Sequence, residues 1–311
     1  MKKKILALIM CIVMVIGILP VYAFAEDGLS DWTYNVLSEE DKTAEITGYN
    51  GTETELVFPE EIDGYTMVAI ANDAFEDDYP NTPNYTSITI PDTYTRIGYN
   101  NFDFDPFIDE VNLPHTLEFI GGNFLAKSRI HTRLKWDEAH RNGGFEVFYI
   151  GEYLIVADQN SNPSDCYTVK PGTKLIAANA FLACNDLKKV ILPEGVEFIN
   201  KNAFLGAYFH SIVIPSTVKR LEYGVFACCD NLKAFVIPSS VEYIDKDAFS
   251  YSWLRFVTIY GDAGSLAESF AKDKGVTFVE LKDVIYGDVD EDGTVTIADY
   301  SATKSCVVGE T

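Results

Sequence analysis

Between Leu56 and Leu281 the apolar residues follow one long-period pattern rather than a continuous helical or strand one. An aliphatic residue recurs as Ile70, Ile97, Ile120, Ile176, Ile199, Leu221 and Ile244, at intervals of 27, 23, 56, 23, 22 and 23. Five residues after each marker stands another apolar side chain: Phe75, Phe102, Leu125, Phe181, Phe204, Phe226 and Phe249. Seven residues before six of the markers stand Ile90, Leu113, Val169, Leu192, Ile214 and Ile237. A unit of this length with three fixed apolar slots cannot bury its own apolar face. Stacked copies can, so the spacing predicts a solenoid with one continuous core.

Within each unit, apolar and outward positions alternate just before a proline. Val190 and Leu192 are expected inside with Ile191 outside, and Phe235 and Ile237 inside with Val236 outside. That period-two run predicts a short strand, which proline ends because it has no N–H for the ladder. The expectation is seven coils, each adding one parallel strand, stacked about 4.8 Å apart. In this reading Phe204 fills a stacked core slot, whereas Asn202→Ala should be mild.

Two stretches carry a resemblance. Ile212-Val-Ile-Pro-Ser-Thr-Val-Lys-Arg-Leu221 and Phe235-Val-Ile-Pro-Ser-Ser-Val-Glu-Tyr-Ile-Asp-Lys-Asp-Ala-Phe249 resemble the bacterial leucine-rich repeats of the BspA-like surface-antigen type, whose pattern is near V-x-I-P-x-S-V-x-x-I-G-x-x-A-F-x-x-C. The resemblance runs from about Asp31 to Leu281. It implies a β-rich solenoid, a right-handed leucine-rich-repeat coil with short parallel strands and capped ends.

The ends and the gap read differently. Trp32–Leu37 and Thr43–Thr47 predict a small hairpin that closes the first coil, since a solenoid otherwise exposes apolar surface at its ends. In the 56-residue gap, Phe145–Ile150 and Tyr153–Ala157 flank Gly151-Glu152, a two-residue hairpin signal. Around it Lys127 to Gly144 is highly charged, with His131, Trp136, Asp137, Glu138, His140 and Arg141. An enzyme reading would make His140 a base, but no nucleophile, glycine elbow or H-E-x-x-H accompanies it. A solvated loop is the reading adopted, and no catalytic residue is assigned. Farther on, Ser265 followed by Leu266–Lys274 and Gly275 predicts a capping helix, with Leu266, Phe270 and Ala271 on its buried face. The boundaries expected are 1–25 for a leader, 26–66 for the amino-terminal cap and 67–281 for the repeats. Within the repeats the hairpin insertion occupies 127–165 and the carboxyl-terminal cap 260–281; a distinct tail follows at 284–311.

Lys2-Lys3-Lys4, the apolar run Ile5 to Leu19 and Ala23-Phe24-Ala25 have the layout of a secretory signal, with cleavage after Ala25. Its removal takes three lysines and no acid from a chain of formal charge −23, leaving −26. Nucleic acid and anionic membrane are therefore not expected as partners, and the mature chain is expected outside the cell without membrane insertion. The five remaining cysteines, Cys166, Cys184, Cys228, Cys229 and Cys306, are odd in number and irregular in spacing, so no disulfide framework is predicted. Cys184 and Cys229 each follow a repeat phenylalanine by three residues, a core-packing position.

The tail holds the candidate chemistry. In Gly287-Asp-Val-Asp-Glu-Asp-Gly-Thr-Val-Thr-Ile-Ala-Asp299, counting from Asp288, side-chain oxygens fall at loop positions 1, 3, 5, 9 and 12: Asp288, Asp290, Asp292, Thr296 and Asp299. Gly293 takes the sharp turn and Thr294 offers its carbonyl. That is Ca²⁺ loop spacing, supplying hard oxygens to one ion. Position 12 is Asp rather than Glu, and no helix precedes the loop. Both features resemble the first repeat of a dockerin, with its pattern G-D-V-N-x-D-G-x-V-x-x-x-D. The resemblance implies a small calcium-binding helical repeat that docks to a cohesin module on a scaffoldin. Cohesin contacts would then fall at Ile297, Ala298, Lys304 and Ser305. A dockerin carries two such repeats and Thr311 falls where the second would begin, so the stretch is either a fragment or a half-module.

Two binding functions follow. In one, a secreted non-catalytic component of a polysaccharide-degrading assembly docks through its calcium tail and presents the repeats to a protein or glycan. In the other, the chain is a cell-surface adhesin for host matrix or other cells. For either, Ile191, Val213 and Val236 are the candidate recognition strip, outward on consecutive strands.

Overall fold

The computed structural model describes residues 29–75, 84–134, 146–157, 166–185, 187–250, 252 and 257–281. The expected leader, the charged residues Trp136 to Arg141 and the tail from residue 282 lie outside the described residues.

Seven of the coils carry two short strands where one was expected. On the first face lie Glu55–Val57, Ser87–Thr89, Glu110–Asn112, Cys166–Thr168, Lys189–Ile191, Ser211–Val213, Ala234–Val236, Thr258–Gly261 and Thr277–Glu280. The second face holds strands at the markers themselves: Tyr65–Ile70, Arg96–Ile97, Phe119–Ile120, Leu175–Ile176, Phe198–Ile199, Arg220–Leu221 and Tyr243–Ile244. The described stack therefore has about nine turns, not seven: two first-face strands, Thr258–Gly261 and Thr277–Glu280, follow the seventh marker, and the helix Leu266–Lys274 connects them. Ladders between successive coils are parallel, as in Ile88↔Val111, Ile212↔Phe235 and Leu221↔Ile244.

Interior slots repeat down the stack. Six markers from Ile70 to Leu221 are buried, as are all seven aromatic or leucine slots from Phe75 to Phe249. The rings of Phe181, Phe204 and Phe226 stack at centroid spacings of 5.1 and 5.4 Å with interplanar angles of 15° and 1°. Phe249 continues the column at 5.4 Å, while Phe235 meets both Phe226 and Phe249 edge-on. Stacked and edge-to-face pairs are both favourable for the aromatic quadrupole, so the column adds to the area it buries.

Between marker and aromatic slot the chain turns a corner through left-handed backbone. The third residue after the marker has positive φ at Asp73, Asn100, Asn123, Asn179, Asn202 and Gly224. Asn, Asp and Gly are the residues that visit this region at least cost, which explains the composition of that slot. At its open face the side chains also form a ladder, Asn123 Nδ2 donating to Asn100 Oδ1 (2.9 Å) and Asn100 Nδ2 to Asp73 Oδ1 (2.7 Å). Asn202 is thus no indifferent position, contrary to the expectation for alanine there. Coils approach most closely just after the markers: a Cβ on Gly121 would lie 2.4 Å from the Tyr99 nitrogen.

The hairpin Val147–Ile150/Tyr153–Ala157 lies inside the structure, not on its surface. Its strands pair antiparallel, and Tyr153 and Leu154 then pair parallel with Leu175 and Ile176. Alternate side chains enter two different cores. Phe148, Ile150, Tyr153 and Ile155 join the amino-terminal core with Leu175 and Ala177. Val147, Tyr149, Leu154 and Ala157 join the carboxyl-terminal core with Ile176 and Ile199. One stack therefore ends against the outer face of the next stack's first strands, and the two meet at an elbow.

The outer ends are closed. Trp32–Ser38 pairs antiparallel with Thr43–Tyr49, which pairs parallel with Tyr65–Ile70, and Trp32 packs on Phe58 at 4.8 Å. At the other end the helix Leu266–Lys274 starts at Ser265, whose Oγ accepts from Glu268 N–H, and stops at left-handed Gly275 (φ 66). Its buried face is Ala267, Phe270 and Ala271, while Leu266, expected there, is 37% exposed. The reason is the i, i+3, i+4 spacing of the residues that cover the last coil.

Removing the Phe204 ring from the column should cost about 3–5 kcal/mol in urea unfolding. Asn202→Gly should be near neutral and Asn202→Val should cost about 1–2 kcal/mol, the left-handed penalty of a branched residue. Equal midpoints for Asn202→Gly and Asn202→Val would contradict the corner geometry.

Candidate recognition surfaces

Because each marker points inward, the residue before it points outward on the second face. That column reads Arg96, Phe119, Leu175, Phe198, Arg220 and Tyr243. Leu175 is fully buried because the amino-terminal stack covers it at the elbow. The others are two cations, Arg96 and Arg220, and three rings, Phe119, Phe198 and Tyr243. Arg96 Cζ lies 5.0 Å from the Phe119 ring centroid and Arg220 Cζ 4.2 Å from that of Tyr243. Tyr99 meets Phe119 edge-on at 5.7 Å, and burial raises the Tyr99 hydroxyl pKa while Arg96 opposes the shift.

At the inner corner of the elbow these side chains enclose a concavity of ≈ 280 Å³, bounded by Arg96, Tyr99, Glu118 and Phe119 from one stack and by Glu197, Phe198, Lys201, Arg220 and Glu222 from the other. One buried side chain holds the two walls in register. Asn200 donates through Nδ2 to Glu118 O (2.9 Å) and accepts at Oδ1 from Ile120 N–H (2.9 Å). The amide thus supplies to the edge of Phe119–Ile120 the donor and acceptor that a neighbouring strand would have provided. Ala178 N–H to Ile120 O (2.8 Å) and Lys174 Nζ to His115 O (2.6 Å) complete the joint. No sequence motif marks this joint. The signal that exists in the chain is Arg or an aromatic residue immediately before five of the seven markers, Ala69 and Leu175 being the exceptions.

The strip Ile191, Val213 and Val236 lies on successive strands of the first face. Val213 is 48% exposed and pairs with Val236, which pairs with Tyr260, and Tyr260 with Val279. Ile191 and Val236 are half-buried, so the strip is a shallow apolar column, longer by Tyr260 and Val279 than expected. The calcium-loop residues Asp288, Asp290, Asp292, Thr294, Thr296 and Asp299, and the contact residues Ile297, Ala298, Lys304 and Ser305, lie outside the described residues. Among the described residues no group of three or more His, Cys, Asp or Glu is placed to hold a metal ion.

Cys184 and Cys229 are buried, in agreement with their core-packing slot. The Cys229 thiol hydrogen-bonds to Phe204 O at 3.1 Å, and burial pushes its pKa up to about 12. Its neighbour Cys228 is exposed at a left-handed corner position (φ 55).

Residues 68–163 and 159–274 match the family described as BspA type Leucine rich repeat region, in 6 copies. Among solved structures, a leucine rich cell surface protein from Faecalibacterium prausnitzii is 20% identical, with 74% of each chain covered and a TM-score of 0.33. A leucine rich repeat protein of T. pallidum is 18% identical over 80% of this chain and 96% of its own, with a TM-score of 0.33. The pneumococcal vaccine antigen PcpA is 15% identical over 80% and 97%, again with a TM-score of 0.33. No curated protein matches the chain.

Two outcomes test this geometry. Asn200→Leu leaves the Ile120 N–H and Glu118 carbonyl without their buried partner and should lower stability by about 1–3 kcal/mol in denaturant titration. In native protein a maleimide should label Cys228 and spare Cys229, because the buried group stays a thiol at neutral pH. Peptide mapping that finds both labelled at equal rates would refute the burial.

Proposed function

The chain belongs to the BspA-type leucine rich repeat family, and on that premise we propose that it is an exported, non-catalytic binding protein with two working parts. The repeats present a recognition surface for a protein or glycan. The tail is a dockerin-like repeat that folds on Ca²⁺ and docks to a cohesin module of a scaffoldin. The observation that carries the reading is the spacing of Asp288, Asp290, Asp292, Thr296 and Asp299 around Gly293. An adhesin that works through its repeats alone has no use for such a loop.

Several features support the rest. The interior of every coil is committed to packing, so variation between coils falls on outward positions, where binding specificity is built. The lysine-led leader fits export. Among the described residues no helix is long and apolar enough to cross a membrane.

The tail supplies its own test. The four carboxylates proposed as ligands, Asp288, Asp290, Asp292 and Asp299, would repel one another without a cation, and a helix following Ile297 would be too short to persist alone in water. Metal affinity then appears as folding free energy of the tail. Calcium titration of the whole chain should release heat, and chelator or Asp292→Ala should abolish capture by an immobilised cohesin. The melting temperature of the repeats should not move. Cohesin capture that persists in excess chelator, or a titration with no heat, would remove the docking function and leave the adhesin.

A further inference from the structure

We propose that the concavity at the elbow binds a neutral sugar unit of an oligosaccharide. The proposal rests on the reading of the repeats as a recognition surface and names where on that surface, and for what chemistry. A volume of ≈ 280 Å³ is at the small end of ligand sites, which suits about one or two sugar rings rather than a folded partner.

The lining has the two kinds of group that a sugar needs. Tyr99, Phe119 and Phe198 are partly exposed aromatic rings, able to stack on the C–H face of a pyranose. Around them Glu118, Glu197 and Lys201 are exposed, and among the described residues their side chains make no hydrogen bond or ion pair. They remain available to ring hydroxyls, as charge-assisted partners. Arg220, by contrast, is held by Glu222 at 3.0 Å and Arg96 by the Phe119 face.

Charge decides against the alternatives. Three cations (Arg96, Lys201, Arg220) face three carboxylates (Glu118, Glu197, Glu222), so the site is locally balanced. A chain of formal charge −23 repels an anionic ligand at range, and a balanced site does not select a cation. An uncharged, polyhydroxylated ligand matches both conditions. The Asn200 clamp fixes the two walls before any ligand arrives, so little ordering cost falls on binding.

Cellohexaose, xylohexaose and mannohexaose titrated calorimetrically into the full chain, with calcium present throughout, test this. At least one should bind. Phe119→Leu, which keeps apolar volume and loses the flat face, and Glu197→Gln, which keeps shape and loses charge, should each weaken it about tenfold. Val213→Ser, on the other face, should bind as the parent does. Urea midpoints should stay unchanged, and if Phe119→Leu loses stability the exposed Glu197→Gln carries the result alone. Absence of heat with all three sugars, elbow variants that bind normally, or tighter binding of an oligogalacturonate would each overturn the proposal. If binding is lost instead with Ile191, Val213 and Val236 all changed to Ser, recognition by the repeats stands and the elbow assignment falls.

Discussion

Everything in this fold depends on one spacing, the distance at which successive coils hydrogen-bond to each other. Parallel backbone bonding holds neighbouring rungs about 4.8 Å apart, so any side chain that points inward must pack against its own counterpart one coil away. Flat rings satisfy that condition well, and the Phe181, Phe204, Phe226 and Phe249 column keeps 5.1–5.4 Å throughout. Small residues are required where the backbone itself comes close, as at Gly98 and Gly121. Corners must turn within a few residues, which drives single positions into left-handed backbone and selects Asn, Asp or Gly there.

The stack is interrupted once among the described residues, and the interruption is where its two cores meet. The hairpin inserted between the third and fourth coils adds strands whose two faces are both apolar. A strand buried on one side would have extended the solenoid; one buried on both must lie between two cores. Phe148 and Tyr153 therefore close one stack while Tyr149 and Leu154 open the next. The edge left at Phe119–Ile120 has no ladder partner on its far side. A buried Asn200 amide serves that edge because an orphaned buried N–H or carbonyl costs about 1–3 kcal/mol, more than an ordinary hydrogen bond contributes.

The same interruption explains which parts are legible in the chain. The markers and the phenylalanine slots are readable because interior positions are forced to be alike, and likeness at a fixed interval survives in a single sequence. The hairpin is readable for a local reason, a two-residue turn between alternating strands. Its burial on both faces is written only in its composition, as a nearly continuous apolar run from Phe145 to Ile150, and such a run looks the same on a surface insertion. The second strand of each coil is two residues long in most coils, too short to show a period. Asn202 reads as replaceable because a polar residue beside a core slot carries no sign of its φ. The elbow joins Glu118 to Asn200 across 82 positions, and no spacing rule reaches that far.

Inter-coil spacing also locates specificity. Interior slots cannot vary without breaking the stack, and outward slots on a straight run of rungs form flat columns, such as Val213, Val236, Tyr260 and Val279, that offer area without enclosure. A pocket needs two surfaces facing each other across a short distance, which a single column of outward slots does not provide. Among the described residues that condition is met at the inner corner of the elbow, where outward columns from both stacks converge. There the residue before the marker, merely solvent-facing elsewhere, becomes a wall. The interruption that breaks the repeat is thus what turns a scaffold surface into a pocket, and a longer or shorter hairpin would change the pocket while leaving each coil as it is.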